Sequence, residues 1–368
     1  MIGTRGARSL LWIIPSLAML IVLPLGFGGQ QYPIYVLALS LVWAVVALGM
    51  NLLTGYTGQY SIGHAGFVAM GAYVTTILMS KAGLDFWLAV PVAGLVSAVT
   101  GCLLGLPACR LRGPYLAIAT IGFGMAIPSL IRNWERLSDE VCRLIDQSWG
   151  LQLAWLQDTK LIFNSAMGLK VPTPTWGFGV SYRFDSDLKI YYLYLPVVVV
   201  LTAITVHLAT SRVGRAFRAI GDSETAAQAV GISLIRYKTA SFALSAFYAG
   251  IAGGMYALLV GHISPDDFDL VMSIQFLTMI VVGGLGSIGG SIAGAILLTI
   301  LPITLSSVKN LNMIVYGAAL IVAAMLLPGG LAGLAREFWN TVEGVLTRGL
   351  ALRKPNRSPN LGNDRWSE

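Results

Sequence analysis

Long apolar runs separated by mostly short polar gaps dominate the chain, and each run is continuous, without residue-by-residue alternation. Ten can be drawn, at about 10–27, 33–53, 64–80, 86–108, 114–132, 190–210, 239–260, 272–284, 290–306 and 313–328. Most reach the ~17–25 residues that a helix needs to cross a bilayer, whereas membrane β-strands would show period-two alternation. The pattern predicts an all-α integral membrane protein of about ten transmembrane helices or half-helices. Residues 1–330 read as a single transmembrane domain. Within it, 133–189 form a long external loop or cap that holds Trp134, Trp149, Trp155 and Trp176. Residues 331–368 form a tail whose last stretch, Arg353–Glu368, is polar enough to be disordered.

The pattern breaks in two places. Met272–Gly284 is short for a full crossing and runs into GGLGSIGG, Gly283–Gly290. Either this break lines a cavity, since unwound backbone at membrane depth needs protein or water to satisfy it, or two helices meet in a tight Gly-rich turn. The other break is LLTGYTGQYSIGHAG, Leu52–Gly66. Its glycines weaken the helix, and Thr54, Gln59, Ser61 and His64 supply polar groups. It reads either as a discontinuous segment of the kind that binds polar solutes in transporters, or as an ordinary cytoplasmic turn. His64 alone fits a hydrogen-bonded structural histidine better than a proton carrier. Candidate residues for lining or hinging a path are Thr54, Gly55, Gln59, Ser61, Gly63 and His64, with Gly283, Gly284, Gly286 and Gly289.

Small residues recur every four positions at Ser245, Ala249, Gly253, Ala257 and Gly261, at Gly286, Gly290 and Gly294, and at Ser61, Ala65 and Ala69. Such stripes let helix backbones approach closely in lipid. They predict a tight bundle and say nothing of a solute.

Composition agrees with the pattern. Hydrophobic residues make up 56% and charged residues 11%, against about 25% charged in a soluble domain. With the N-terminus inside, Arg5 and Arg8, Arg110 and Arg112, the Arg212–Lys238 loop and the tail all fall in the cytoplasm. That side then holds 15 of the 24 Lys and Arg, as the positive-inside rule requires, and both termini are cytoplasmic. The run Leu10–Phe27 after Arg5 and Arg8 has the look of a signal peptide, but no A-x-A site follows, so an uncleaved first span is expected. The basic pI near 9.4 reflects loops beside apolar spans and does not point to nucleic acid. Cys102, Cys109 and Cys142 lack the spacing of a disulfide framework or a zinc site.

Missing chemistry narrows the function. No Asp or Glu falls inside a drawn span, which weakens the case for a stand-alone ion-coupled carrier. There is no G-x-x-x-x-G-K-[ST] loop for ATP and no catalytic constellation, so neither an enzyme nor a resident metal or cofactor is expected. The loop Arg212–Lys238 still needs a purpose. Val213, Ala216, Phe217 and Ile220 follow helical spacing, with Arg212, Arg215 and Arg218 on other faces. Asp222 or Ser223 can then cap a second short helix, Glu224 suits its first turn and Gly231 its end. Ala226, Ala227 and Ala229 would give that helix a smooth surface fit for a groove on another protein.

At these residues a resemblance emerges. Glu224–Gly231, ETAAQAVG, resembles the E-x-A-A-x-x-x-G pattern of binding-protein-dependent ABC importer permeases. Over about Leu39–Pro328 the chain is similar to the branched-chain amino acid permeases of that class, through GMNLLTGYTGQYSIGHAGFVAMGAY, RLRGPYLAIATIGFG at Arg110–Gly124, RAIGDSETAAQAVGI at Arg218–Ile232 and GGLGSIGGSIAGA at Gly283–Ala295. The resemblance implies that Asp222, Ser223, Glu224, Ala226, Ala227 and Gly231 form an ATPase-coupling loop, and it adds Tyr115 to the path candidates. It implies partners: ATP-binding cassette subunits that use ATP and Mg, a second homologous permease, an external or periplasmic solute-binding protein, and the bacterial inner membrane. Two departures stand out. Met125 and Ala126 follow Gly124 where the family often carries Glu, and Arg136–Leu153 replaces a T-G-G-x-x-G-L segment. They leave urea or a short amide as alternative solutes, with a stand-alone secondary transporter as the alternative of a different class.

Overall fold

The computed structural model describes residues 30–108, 114–134, 168–172, 186–304 and 329–334, with a few isolated positions. What it describes is mostly helix. The runs at 10–27 and 313–328, most of the 133–189 loop and most of the tail lie outside the described residues.

The innermost helix, α1 (Gln31–Met50), is apolar all round and buried along nearly its whole length, the condition for a central helix. It continues without interruption into a π-helical turn, Asn51–Tyr56. A non-helical stretch leads to α2 (His64–Ser80), followed by α3 (Phe86–Ala108) and α4 (Pro114–Arg132). Next come α5 (Asp187–Thr210), two short helices α6 (Arg212–Asp222) and α7 (Glu224–Ala229), and the long α8 (Leu234–Val260). Helices α9 (Leu270–Gly283) and α10 (Ile288–Thr304) complete the described set.

Helix α8 is wedged between α2 and α3 and also packs on α1. Its small residues make this possible. A side-chain carbon at Gly253 would strike the Val68 carbonyl of α2, one at Gly250 would strike Ser97 of α3, and one at Gly254 would strike Thr75. The stripe thus does the packing its spacing predicts, and one end member of each stripe lies just outside a helix. Gly261 ends α8 in a left-handed conformation (φ 74°), Ser61 precedes α2, and Gly286 lies in a turn.

Helices α9 and α10 form an antiparallel hairpin, which resolves the first break as a tight turn. Gly283 abuts the Gly290 carbonyl, and Gly294 abuts that of Met279. The turn needs glycine at Gly284 (φ 111°) and Gly286 (φ 75°), where a Cβ would be strained.

On its outer side α3 turns Leu88, Leu95, Val99, Leu103 and Leu106 away from the protein, each at least half exposed. Among the described residues five helices are long and apolar enough to cross a membrane, Gln31–Tyr56, Phe86–Pro107, Tyr115–Arg132, Asp187–Thr210 and Leu234–Val260. His64–Ser80 and Ile288–Leu301 are apolar but shorter. A buried centre with an apolar exterior suits a lipid surrounding.

One end of the bundle carries a small cap. Strand β1 (Leu169–Lys170), from the long loop, pairs antiparallel with β2 (His262–Ile263), placing Leu169 opposite Ile263. A 3₁₀ turn, Pro265–Asp267, follows with Ser264 as its cap. Asp266 of this turn pairs with Arg132 at the end of α4. The opposite end gathers the π-turn, α6, α7 and the Gly284–Gly286 turn.

Candidate functional site

Helix α6 begins where Ser211 accepts hydrogen bonds from the backbone of Val213 and Gly214. It buries Gly214, Ala216, Phe217 and Ile220 and leaves Arg212, Arg215 and Arg218 outward, the amphipathic division its spacing predicts, with Val213 half-buried. Arg218 donates to the Ala209 carbonyl at 2.6 Å, and its guanidinium lies 5.3 Å from the centre of the Tyr56 ring. Ser223 then caps α7 by accepting from Ala226 N at 3.3 Å. Gly231, at φ 84°, reverses the chain, and Ile232 N donates back to the Ala227 carbonyl at 3.0 Å.

The faces of α7 differ from the expected smooth surface. Ala227 is buried against the chain itself, at 2% exposure, while Ala226, Ala229 and Val230 face outward. The reason is geometric: successive residues on a helix are about 100° apart, so a single turn docked on the bundle must turn one alanine inward. Glu224 also faces the bundle. Its carboxylate accepts from Lys238 Nζ at 2.5 Å, and Lys238 is only 2% exposed. The expected start of this span at 239 left Lys238 in the loop, whereas α8 begins at Leu234 and brings it inside.

The two broken segments meet. Asn51, 1% exposed, accepts from Gly286 N through Oδ1 at 2.8 Å and donates to the Ser287 carbonyl through Nδ2 at 3.2 Å. Gly55 leaves room for this clamp, since any side chain there would strike Asn51 Oδ1 and Gly286 N. On the other side Gly221 of α6 rests on the Tyr56 carbonyl. A cleft of about 290 Å³ lies between the three segments, lined by Gly55, Tyr56, Gly58, Arg218, Gly221, Asp222 and Gly286.

Deeper in, the stretch Thr57–Gly63 is held by side chains from other helices. Ile62 N donates to Thr120 Oγ1 of α4 at 3.0 Å, and Ala65 N to Ser273 Oγ of α9 at 3.0 Å. The Gln59 carbonyl accepts from Thr54 Oγ1 at 3.0 Å. His64 is wholly buried, with its ring nitrogens 2.8 Å from Ser61 Oγ and 2.6 Å from Ser245 Oγ. Two hydroxyl partners suit the structural role expected for this histidine. Gly63 sits so close to the Thr120 carbonyl that a Cβ would collide. Thr54, Gln59, Ser61, Gly63 and His64 therefore form one buried polar cluster that includes Thr120, Ser245 and Ser273.

Two sequence candidates stand apart. Tyr115 is 70% exposed on α4, and Gly289 has open space where a side chain would go. Met125 lines a second cleft, about 200 Å³, at the capped end beside Ser129, Arg132, Asp266 and Asp269. Asn51, Thr120 and Lys238 were not singled out by sequence. For Asn51 a signal existed, a lone amide between Met50 and Leu52 in an apolar run. For Lys238 and Thr120 the partner lies on another element, and spacing along the chain does not reveal it.

A helical bundle with an apolar exterior, an internal polar break and a docked amphipathic helix pair defines an integral membrane transport component. The chain belongs to the family of the branched-chain amino acid transport system / permease component, whose pattern matches residues 32–324. It is similar to the high-affinity branched-chain amino acid transport system permease protein LivM of Escherichia coli K12. Identity is 32% over 312 residues, spanning 81% of this chain and 69% of that protein. The LivM protein of Salmonella typhimurium is 31% identical over 308 residues, with the same coverage of 81% and 69%. Similarity extends to the LivH permease protein of E. coli K12, at 24% identity over 80% of this chain and 92% of that protein. No solved structure matches.

Proposed function

We propose that this chain is the membrane-spanning permease subunit of an ATP-driven importer for branched-chain or related amino acids delivered by an external solute-binding protein. The similarity to LivM over 81% of the chain carries this reading. The chain crosses a bacterial inner membrane about ten times as a single permease domain, with both termini in the cytoplasm. In that orientation α6, α7 and the Gly284–Gly286 turn face the cytoplasm, and the β1–β2 cap faces outward. ATP and Mg belong to a separate ATPase subunit, and a second homologous permease completes the path.

Asp222, Ser223, Glu224, Ala226, Ala227 and Gly231 act as the coupling loop. The exposed face of α7 meets the ATPase, while its buried face rides on α8. Thr54–His64 and Gly283–Gly289 line or hinge the path. The Asn51 clamp supports joint movement of these segments, because it ties the π-turn directly to Gly286. Alternating access then follows from ATP-driven displacement of α6 and α7 against that junction.

Co-purification in mild detergent, followed by reconstitution, tests the proposal. The expected result is recovery of a Walker-motif ATPase and a second permease, with leucine uptake that needs both ATP and the binding protein. Flux through the purified chain alone, driven by an ion gradient, would instead establish a secondary transporter. Urea or short amides, taken up in preference to leucine, would reassign the solute.

A further inference from the structure

Lys238 is a cation packed inside the base of a membrane helix, and the coupling loop as described leaves it unexplained. Its side chain is 3% exposed, so it does not snorkel to the surface. Among the described residues its carboxylate partner is Glu224, on α7. A buried ammonium cannot easily be left without its counter-charge. If α7 moves, Lys238 and the first turns of α8 must follow or rearrange.

The chain of contacts continues inward. The Lys238 carbonyl accepts from Ser241 Oγ at 2.8 Å. That hydroxyl oxygen accepts from Gln59 Nε2 at 3.0 Å, and the same amide donates to Thr57 Oγ1 at 2.8 Å. Thr57 in turn donates to the Leu53 carbonyl at 2.6 Å, in the π-turn. Both hydrogens of the Gln59 amide are thus committed, while its Oε1 is buried without a partner. An unsatisfied buried acceptor marks a place where the arrangement costs free energy and another arrangement can compete.

We infer that Lys238 is a positioning residue that links the docking helix to the buried break. Displacement of Glu224 is transmitted through Lys238 and Ser241 to Gln59, and so to the Thr57–Gly63 stretch of the break. The inference rests on the proposed role of α7 as the contact with an ATPase. A purely local role would have Lys238 do no more than hold α7 in place.

The test uses the full chain in lipid nanodiscs, with its cysteines replaced by serine and a spin label introduced by Tyr60→Cys. Tyr60 is 49% exposed within the break, so it tolerates a label. Glu224→Gln, altered at the partly exposed end of the pair, and Lys238→Met should each change the mobility of the label at 60. A label introduced by Thr225→Cys reports α7 in parallel. If α7 loosens while the label at 60 keeps its wild-type spectrum, the link is overturned.

In the assembled importer, trapping nucleotide should shift both labels in the wild type. In Lys238→Met the shift at 60 should be lost while that at 225 remains, and ATP hydrolysed per solute should rise. Retention of both shifts with normal stoichiometry would also overturn the inference. Should the wild-type chain recruit no ATPase, the importer reading fails, and the nanodisc comparison still decides whether Glu224 controls the break. Should Lys238→Met not insert, Glu224→Gln carries both measurements.

Discussion

At the residue scale, the junction depends on groups that satisfy backbone far away in sequence. Asn51 supplies one acceptor and one donor to the turn between α9 and α10, which reaches it across more than half of the chain. Asn51→Ala would remove both of these part-buried hydrogen bonds, each worth about 0.5–1.5 kcal/mol net. A lower thermal midpoint in detergent and reduced uptake are expected; an unchanged midpoint would show that water replaces the amide. The polar character of this region could be read from TGYTGQYSIGHAG. Its mutual arrangement could not, because hydrogen-bond partners such as Thr120, Ser245 and Ser273 lie on three other helices.

At the element scale, the continuous apolar runs located the described long helices, α8 aside, to within about three residues, and α2 ran from His64 to Ser80 as expected. The one consequential boundary error was the start of α8, where a polar first turn concealed five helical residues and with them Lys238. The composition of α7 was also legible, through Ser223 and Gly231, but not which way it faces. That orientation separates two variants. Ala227→Trp would overfill a buried site, costing typically ~1–3 kcal/mol, and should lower the stability of the chain itself. Ala229→Trp adds bulk on the open face. It should leave the melting of the isolated chain unchanged and abolish recovery of the ATPase in a pull-down. Equal effects of the two on stability would contradict the observed orientation.

At the scale of the molecule, the bundle is buried at its centre and apolar outside. Val99, near the middle of α3 and 60% exposed, lies on the outer stripe. Val99→Asp should cost roughly 2.5–3.5 kcal/mol of insertion free energy, read as loss of chain from the membrane fraction. A normal yield would place that face against water. The proposed orientation is checked separately by labelling single cysteines at Thr225 and at Gly83, with only Thr225→Cys reacting from the cytoplasmic side.

The sequence by itself determined the class, because crossing lipid demands long apolar helices whatever their neighbours, and the family, because its motifs are contiguous. Tertiary structure decided that GGLGSIGG is a hairpin turn clamped by Asn51, that Ala227 faces inward, and that Glu224 neutralises a buried lysine. Each of these depends on which surfaces meet. A run of hydrophobic and small residues records that a helix packs closely, but the partner it packs against is set by the three-dimensional fit of the whole bundle.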